Sequence, residues 1–231
     1  MGGIVIKGCE VFRQGVFVSA DVEVLDGIVT RIQPGIVPGE GVSVYNFDNY
    51  LVVPGLVDVH VHLREPGFSY KETIASGTEA AARSGYAAVC AMPNLSPVPE
   101  DAATLAQELD IIERDAVIDV LPYGAITRGE RGAELAEMAA MAPHVCGFSD
   151  DGHGVQSPEL MRAAMLEAKQ LGKPIAAHCE DNSLLRGGYI HDGDYARSHG
   201  HRGICSESEW GQIARDVKLA EETGCAYHVC H

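Results

Sequence analysis

Along the first 53 residues, apolar side chains recur two positions apart (Ile4 and Ile6, Val22 and Val24, Val42 and Val44), with Ile28 continuing the series. Asp26-Gly27 and Pro34-Gly35 supply turn signals between them. A period of two with intervening turns predicts short antiparallel strands that cover one face, so residues 1–53 read as a small β unit. From Val53-Pro54-Gly55 the rhythm changes. Short apolar runs at 56–62, 87–92, 117–123, 145–149, 174–178 and 226–231 alternate with stretches of helical spacing, which predicts βα units feeding a parallel sheet.

The helical stretches carry their own punctuation. Residues 69–84 are Ala-rich and stop at Gly85, and 101–114 place Leu105, Leu109 and Ile112 on one side. Ser157-Pro158 reads as an N-cap followed by a first-turn proline, opening a helix that ends near Gly172, and 207–223 is closed by Gly224. An eight-stranded barrel takes about 250 residues, and fewer than that follow residue 53 in a chain of 231. Six strands fit residues 54–231, so the expectation is a barrel truncated after its sixth strand and belonging to a longer protein, because an unpaired barrel strand exposes an edge that proteins normally cover.

Composition narrows the functional classes. Seventeen Lys and Arg face 33 Asp and Glu, a formal charge of −16, and no basic stripe is present to displace counterions from a nucleic acid. No apolar run approaches the roughly 18 residues of a membrane helix, and the N-terminus has neither a signal-peptide pattern nor a myristoylation motif. These features predict a cytoplasmic protein without nucleic-acid or membrane partners. The seven cysteines form no Cys-x-x-Cys and several lie in strand-like runs, so they read as reduced, buried thiols.

The densest chemistry lies in the segment from Asp58 to Gly67. His60 and His62 are two apart on the first parallel strand, so both imidazoles project to the same side at its carboxyl end, where parallel barrels build their sites. Such a pair suits Zn²⁺ or a similar ion, although His-x-His alone is equally compatible with two solvated histidines. Three further strand ends carry ligand-type residues: Asp150-Asp151, His178 and His231. His144, His153, His191, His199, His201 and His228 fall in turns, in a polar loop or on the opposite strand face, and receive no role.

Taken together, Asp58-Val59-His60-Val61-His62-Leu63-Arg64-Glu65-Pro66-Gly67, Ala91-Met92-Pro93-Asn94, Phe148-Ser149-Asp150-Asp151-Gly152, the segment from Ala177 to Ser183, and His228-Val229-Cys230-His231 resemble the bacterial class I dihydroorotases of the amidohydrolase superfamily. The resemblance implies an α/β fold: a partial TIM-type barrel of about six of eight strands over 54–231, preceded by residues 1–53 as the N-terminal part of a composite β-sandwich. It implies two zinc ions, with His60 and His62 on the first, His178 and His231 on the second, and Asp151 bridging them. Asp150 competes for that last role. Many relatives bridge with a carbamylated lysine, but no lysine lies between Lys71 and Lys169 here.

By the same resemblance Arg64 and Asn94 hold the substrate carboxylate, a task suited to a planar guanidinium with parallel donors. The implied reaction is the reversible cyclisation of N-carbamoyl-L-aspartate to L-dihydroorotate and water, in pyrimidine synthesis, through a hydroxide held between the two ions. The family's proton-shuttle aspartate is expected beyond His231, so 1–231 alone is expected to turn over weakly or not at all. Association as a homodimer or with the pathway's aspartate carbamoyltransferase is compatible with this reading. Two alternatives remain open: an allantoinase- or dihydropyrimidinase-like cyclic amidase, and a non-catalytic homologue that partners the carbamoyltransferase.

Overall fold

A computed structural model describes residues 2–231, which divide into two compact units, one ending at Gly55 and the other spanning Leu56–His231. The first unit is a single mixed sheet. Strands β1 (Ile4–Arg13), β2 (Val16–Leu25) and β3 (Ile28–Gln33) form an antiparallel meander, while β4 (Ser43–Asn46) and β5 (Leu51–Val52) both run parallel to β1. The parallel pairings differ from the antiparallel expectation. They arise because the chain returns past Pro34-Gly35 and Pro38-Gly39 without a tight hairpin, leaving the second edge of β1 to be filled from its start. Val11, Cys9, Ala20 and Val22 make the buried face, and Asp21 ties the unit together by accepting from the amides of Gly8 and Ile36.

In the second unit, β6 (Leu56–Val61), β7 (Tyr86–Ala91), β8 (Asp119–Ala125), β9 (Gly147–Ser149), β10 (Ile175–Ala177) and, last in the chain, β13 (Tyr227–Val229) form one parallel sheet in sequence order. Each neighbouring pair is parallel. Between them run α1 (Ile74–Arg83), α2 (Ala102–Asp115), α3 (Met138–Met141), α4 (Pro158–Gln170), α5 (Asn182–Leu185), α6 (Asp194–His199) and α7 (Glu207–Thr223), with β11 (Ile190–His191) and β12 (Gly203–Ile204) as a separate parallel pair before α7. This is a partial (β/α) barrel.

Helix ends follow local chemistry. The first helix starts later than its Ala-rich composition predicts, because Thr73 caps it and exchanges hydrogen bonds with Ser76 in a capping box. Asp101 does the same with Thr104 for α2. Ser157 caps α4 with Pro158 in its first turn, and α7 ends at Gly224, whose φ of 70° is the left-handed conformation that a C-terminal stop requires. The main core lies between sheet and helices, where Phe148, Ile175, Met141, Met161 and Met165 are almost fully buried. Each such side chain contributes roughly 1.5–3 kcal/mol through burial. Inside the curl, the Tyr123 hydroxyl donates to the Val59 carbonyl at 3.2 Å, linking β8 to β6 across one intervening strand. That curl brings the carboxyl ends of the two outermost strands together: the rings of His60 and His231 lie 5.1 Å apart.

All seven cysteines are free thiols; five are buried, and Cys146 and Cys205 are half-buried. Among the described residues, no helix is long and apolar enough to cross a membrane.

Candidate metal centre

The site is assembled around one carboxylate. Asp151 directly follows Asp150 after β9 and is nearly inaccessible, with its side chain 5% exposed. Its Oδ1 lies 3.5 Å from His60 Nε2, 3.8 Å from His178 Nδ1 and 3.3 Å from His231 Nε2, and its Oδ2 lies 3.6 Å from His62 Nε2. The donors fall into two overlapping groups, His60–His62–Asp151 and Asp151–His178–His231, each with its ligand atoms within 4.8 Å of one another. All five residues singled out from strand ends thus meet, with Asp151 common to both groups.

Asp150 points elsewhere. Its carboxylate accepts from the amides of Ile126 at 2.8 Å and Thr127 at 3.0 Å, and from the Thr127 hydroxyl. These donors sit just beyond β8, so Asp150 ties two strand ends together. Burial pushes its carboxyl above the usual range, and the three donors oppose that rise.

Two imidazoles are held in a definite tautomer. His62 Nδ1 lies 2.9 Å from Asn94 Oδ1, an atom that also accepts from Arg64 Nη1 at 3.2 Å. Since Asn94 Oδ1 can only accept, His62 must carry its proton on Nδ1, leaving Nε2 with a lone pair facing Asp151. The Asn94 amide nitrogen donates to Asp151 Oδ2 at 2.9 Å and to its carbonyl at 3.2 Å. On the other side, His178 Nε2 lies 3.3 Å from Glu180 Oε2. With its proton there, His178 Nδ1 is a buried nitrogen with no hydrogen-bond partner, aimed at the shared carboxylate. Ligating histidines are characteristically fixed in this way by an outer carboxylate or amide.

Burial also lowers the pKa of His60, with His62 and His231 adding to the effect and Asp151 opposing it. The neutral form that results is the form a cation needs. Four imidazoles around one buried carboxylate, one of them with an orphaned nitrogen, fit a divalent metal ion, because donors of this kind are poorly satisfied by one another. Arg64, half-buried beside this cluster, has a left-handed backbone (φ 64°) and forms no ion pair among the described residues.

Sequence reasoning passed over Glu180. Its signal was the two-residue spacing in His178-Cys179-Glu180, which allows a carboxylate to reach back to the imidazole once the strand has ended.

Residues 49–231 match the dihydro-orotase-like family. The chain belongs to this family. Relatives named dihydroorotase include those of Fusobacterium nucleatum subsp. nucleatum, 47% identical over 99% of this chain and 53% of the relative, and of Enterococcus faecalis, 43% identical over 100% of this chain and 54% of the relative. The chain spans about half the length of the curated relatives it matches. Among solved structures, an L-hydantoinase (dihydropyrimidinase) from Arthrobacter aurescens superimposes with a TM-score of 0.83 at 19% identity, covering 100% of this chain and 53% of that one. A D-hydantoinase from Thermus sp. gives 0.75 at 22%, covering 99% and 52%. At these identities the structural likeness shows a shared fold.

Proposed function

We propose that this chain carries the dinuclear metal centre of a dihydroorotase, which interconverts N-carbamoyl-L-aspartate and L-dihydroorotate. The observation that carries the reading is the placement of Arg64 next to Asn94 and His62, at the edge of the five-donor cluster. A hydrolase acting on an uncharged cyclic amide has no use for a guanidinium there, whereas a substrate carboxylate does.

In this reading His60 and His62 hold one Zn²⁺, His178 and His231 hold the other, and Asp151 is the ligand they share. When bound, such ions supply the charge that makes water nucleophilic near neutrality and polarises an amide carbonyl. Asn94 fixes His62 and Asp151 through its two ends, and Glu180 fixes His178, so three of the five donors are set before any ion arrives. Arg64 takes the substrate carboxylate and thereby orients the ring toward the cluster. Together with the bound ions it would reverse the potential locally in a chain of charge −16, which at long range repels an anionic substrate.

The test is dihydroorotate ring opening by the protein in its full natural length, followed spectrophotometrically with and without chelator. Metal-dependent turnover is expected. Arg64→Ala should lower kcat/KM for dihydroorotate by roughly 10- to 150-fold, the worth of a charged hydrogen-bonded contact, and leave any turnover of an uncharged hydantoin untouched. Metal-independent turnover, or equal loss on both substrates, contradicts the reading.

A further inference from the structure

A second cluster lies outside the five donors. After β8 the chain runs through a short 3₁₀ turn, Arg128–Glu130, in which Gly129 (φ 60°) and Glu130 (φ 55°) are both left-handed, followed by Gly132 at φ 67°. Glycine takes this conformation freely, but a glutamate held there costs of order 1–2 kcal/mol. The turn is pinned in place: Gly129 donates to Glu100 Oε2, Glu130 to the Thr127 carbonyl at 3.0 Å, and Gly132 to the Thr127 hydroxyl at 2.9 Å. Its consequence is an inward-turned Glu130, whose side chain is 3% exposed, with Oε1 buried and unpartnered and Oε2 3.9 Å from His153 Nδ1.

Glu130 and His153 share the wall of a cavity of about 580 Å³ with Arg131, Gln156 and Asn182. We propose that Glu130 and His153 form an accessory binding site for a divalent cation, distinct from the five-donor cluster. Several observations point the same way. An unpaired buried carboxylate is strongly disfavoured unless a proton or a cation neutralises it. Burial is the first cause that raises the Glu130 carboxyl to about 8, the mark of a carboxylate held out of water with Oε1 unpartnered. Carboxylate and imidazole donors bond such ions at about 2.0–2.2 Å, so a gap of 3.9 Å between Oε2 and Nδ1 lets one ion touch both. His153 is 60% exposed and can adjust, and the cavity has room for the waters that complete the coordination. Arg131 is exposed, and its long stem lets the guanidinium stand off in water. Two protein donors make a weak, exchangeable site rather than a permanent one.

The experiment is equilibrium dialysis of the protein against rising Zn²⁺, with bound metal measured by elemental analysis. Wild type should take up about one equivalent beyond the ions that resist dialysis. Glu130→Gln, which preserves shape, and His153→Ala, at an exposed position whose truncation leaves the core intact, should each lose that equivalent and keep the resistant ions. Asp151→Ala should show the reverse pattern, which separates failure of this site from failure of the dinuclear centre. Uptake by both Glu130→Gln and His153→Ala that superimposes on wild type overturns the proposal.

Discussion

Asp150 and Asp151 are adjacent in sequence, almost equally buried, and face opposite environments. Asp150 meets two amides and a hydroxyl at the end of β8, a full complement of donors that makes it a fastening between strands. Asp151 meets four imidazoles and the Asn94 amide, and much of its partnership is with nitrogens that are themselves lone-pair donors. Glu108, on α2, extends the comparison: it is 2% exposed with Oε2 unpartnered, and burial raises its carboxyl well above the ordinary value of 4.5. Three buried acids therefore occupy three regimes, one satisfied by donors, one arranged for cations and one held out of water without a partner for Oε2.

The largest effect should come from Asp151→Ala, which removes the atom common to both donor groups. Metal retention after dialysis and turnover should both vanish while urea denaturation of the metal-free protein changes little. Next, Asp150→Ala should leave the imidazoles in place but strand three buried donors, lowering unfolding free energy in the metal-free protein by about 2–5 kcal/mol. If the two substitutions gave the same pattern, the division of labour between the neighbours would be wrong. Asn94→Ala and Glu180→Gln loosen the orientation of His62 and His178. Each should weaken metal affinity by about 10- to 100-fold, measured by competition with a chelator of known affinity.

The smallest effect belongs to Glu108→Gln. Since the folded-state pKa of Glu108 is raised, its contribution to stability is fully present below about pH 4.5, the unfolded value, and is lost as pH rises through the folded value. The amide does not titrate. The variant should therefore gain on wild type as pH rises, by roughly 1 kcal/mol at the alkaline end of the stable range, in denaturation curves collected across pH.

The parallel sheet was legible because its apolar runs recur between helices, and the His60–His62 pair because a strand's period of two fixes which side chains share a face. Strand ends were less legible. The run predicted for 145–149 pairs only over Gly147–Ser149, and that for 174–178 only over Ile175–Ala177. In the second, His178 leaves the ladder at the carboxyl end to reach the site, whereas in the first the dropped residues, Val145 and Cys146, pack against core at the opposite end of the strand. Nothing in Asp150-Asp151-Gly152 itself says which acid faces the histidines. That depends on the Ile126 and Thr127 amides, donated from the segment just beyond β8, more than twenty residues earlier. Glu130 was unreadable for a related reason: Thr127-Arg128-Gly129-Glu130 reads as a polar turn, and only the left-handed backbone turns the carboxyl inward.

Elemental analysis of the purified protein after exhaustive dialysis tests the centre most directly. Wild type should retain two divalent ions per chain, His178→Ala one, and Asp151→Ala none. Retention that is the same in all three proteins, or no retention by wild type, would contradict a centre built on a shared carboxylate.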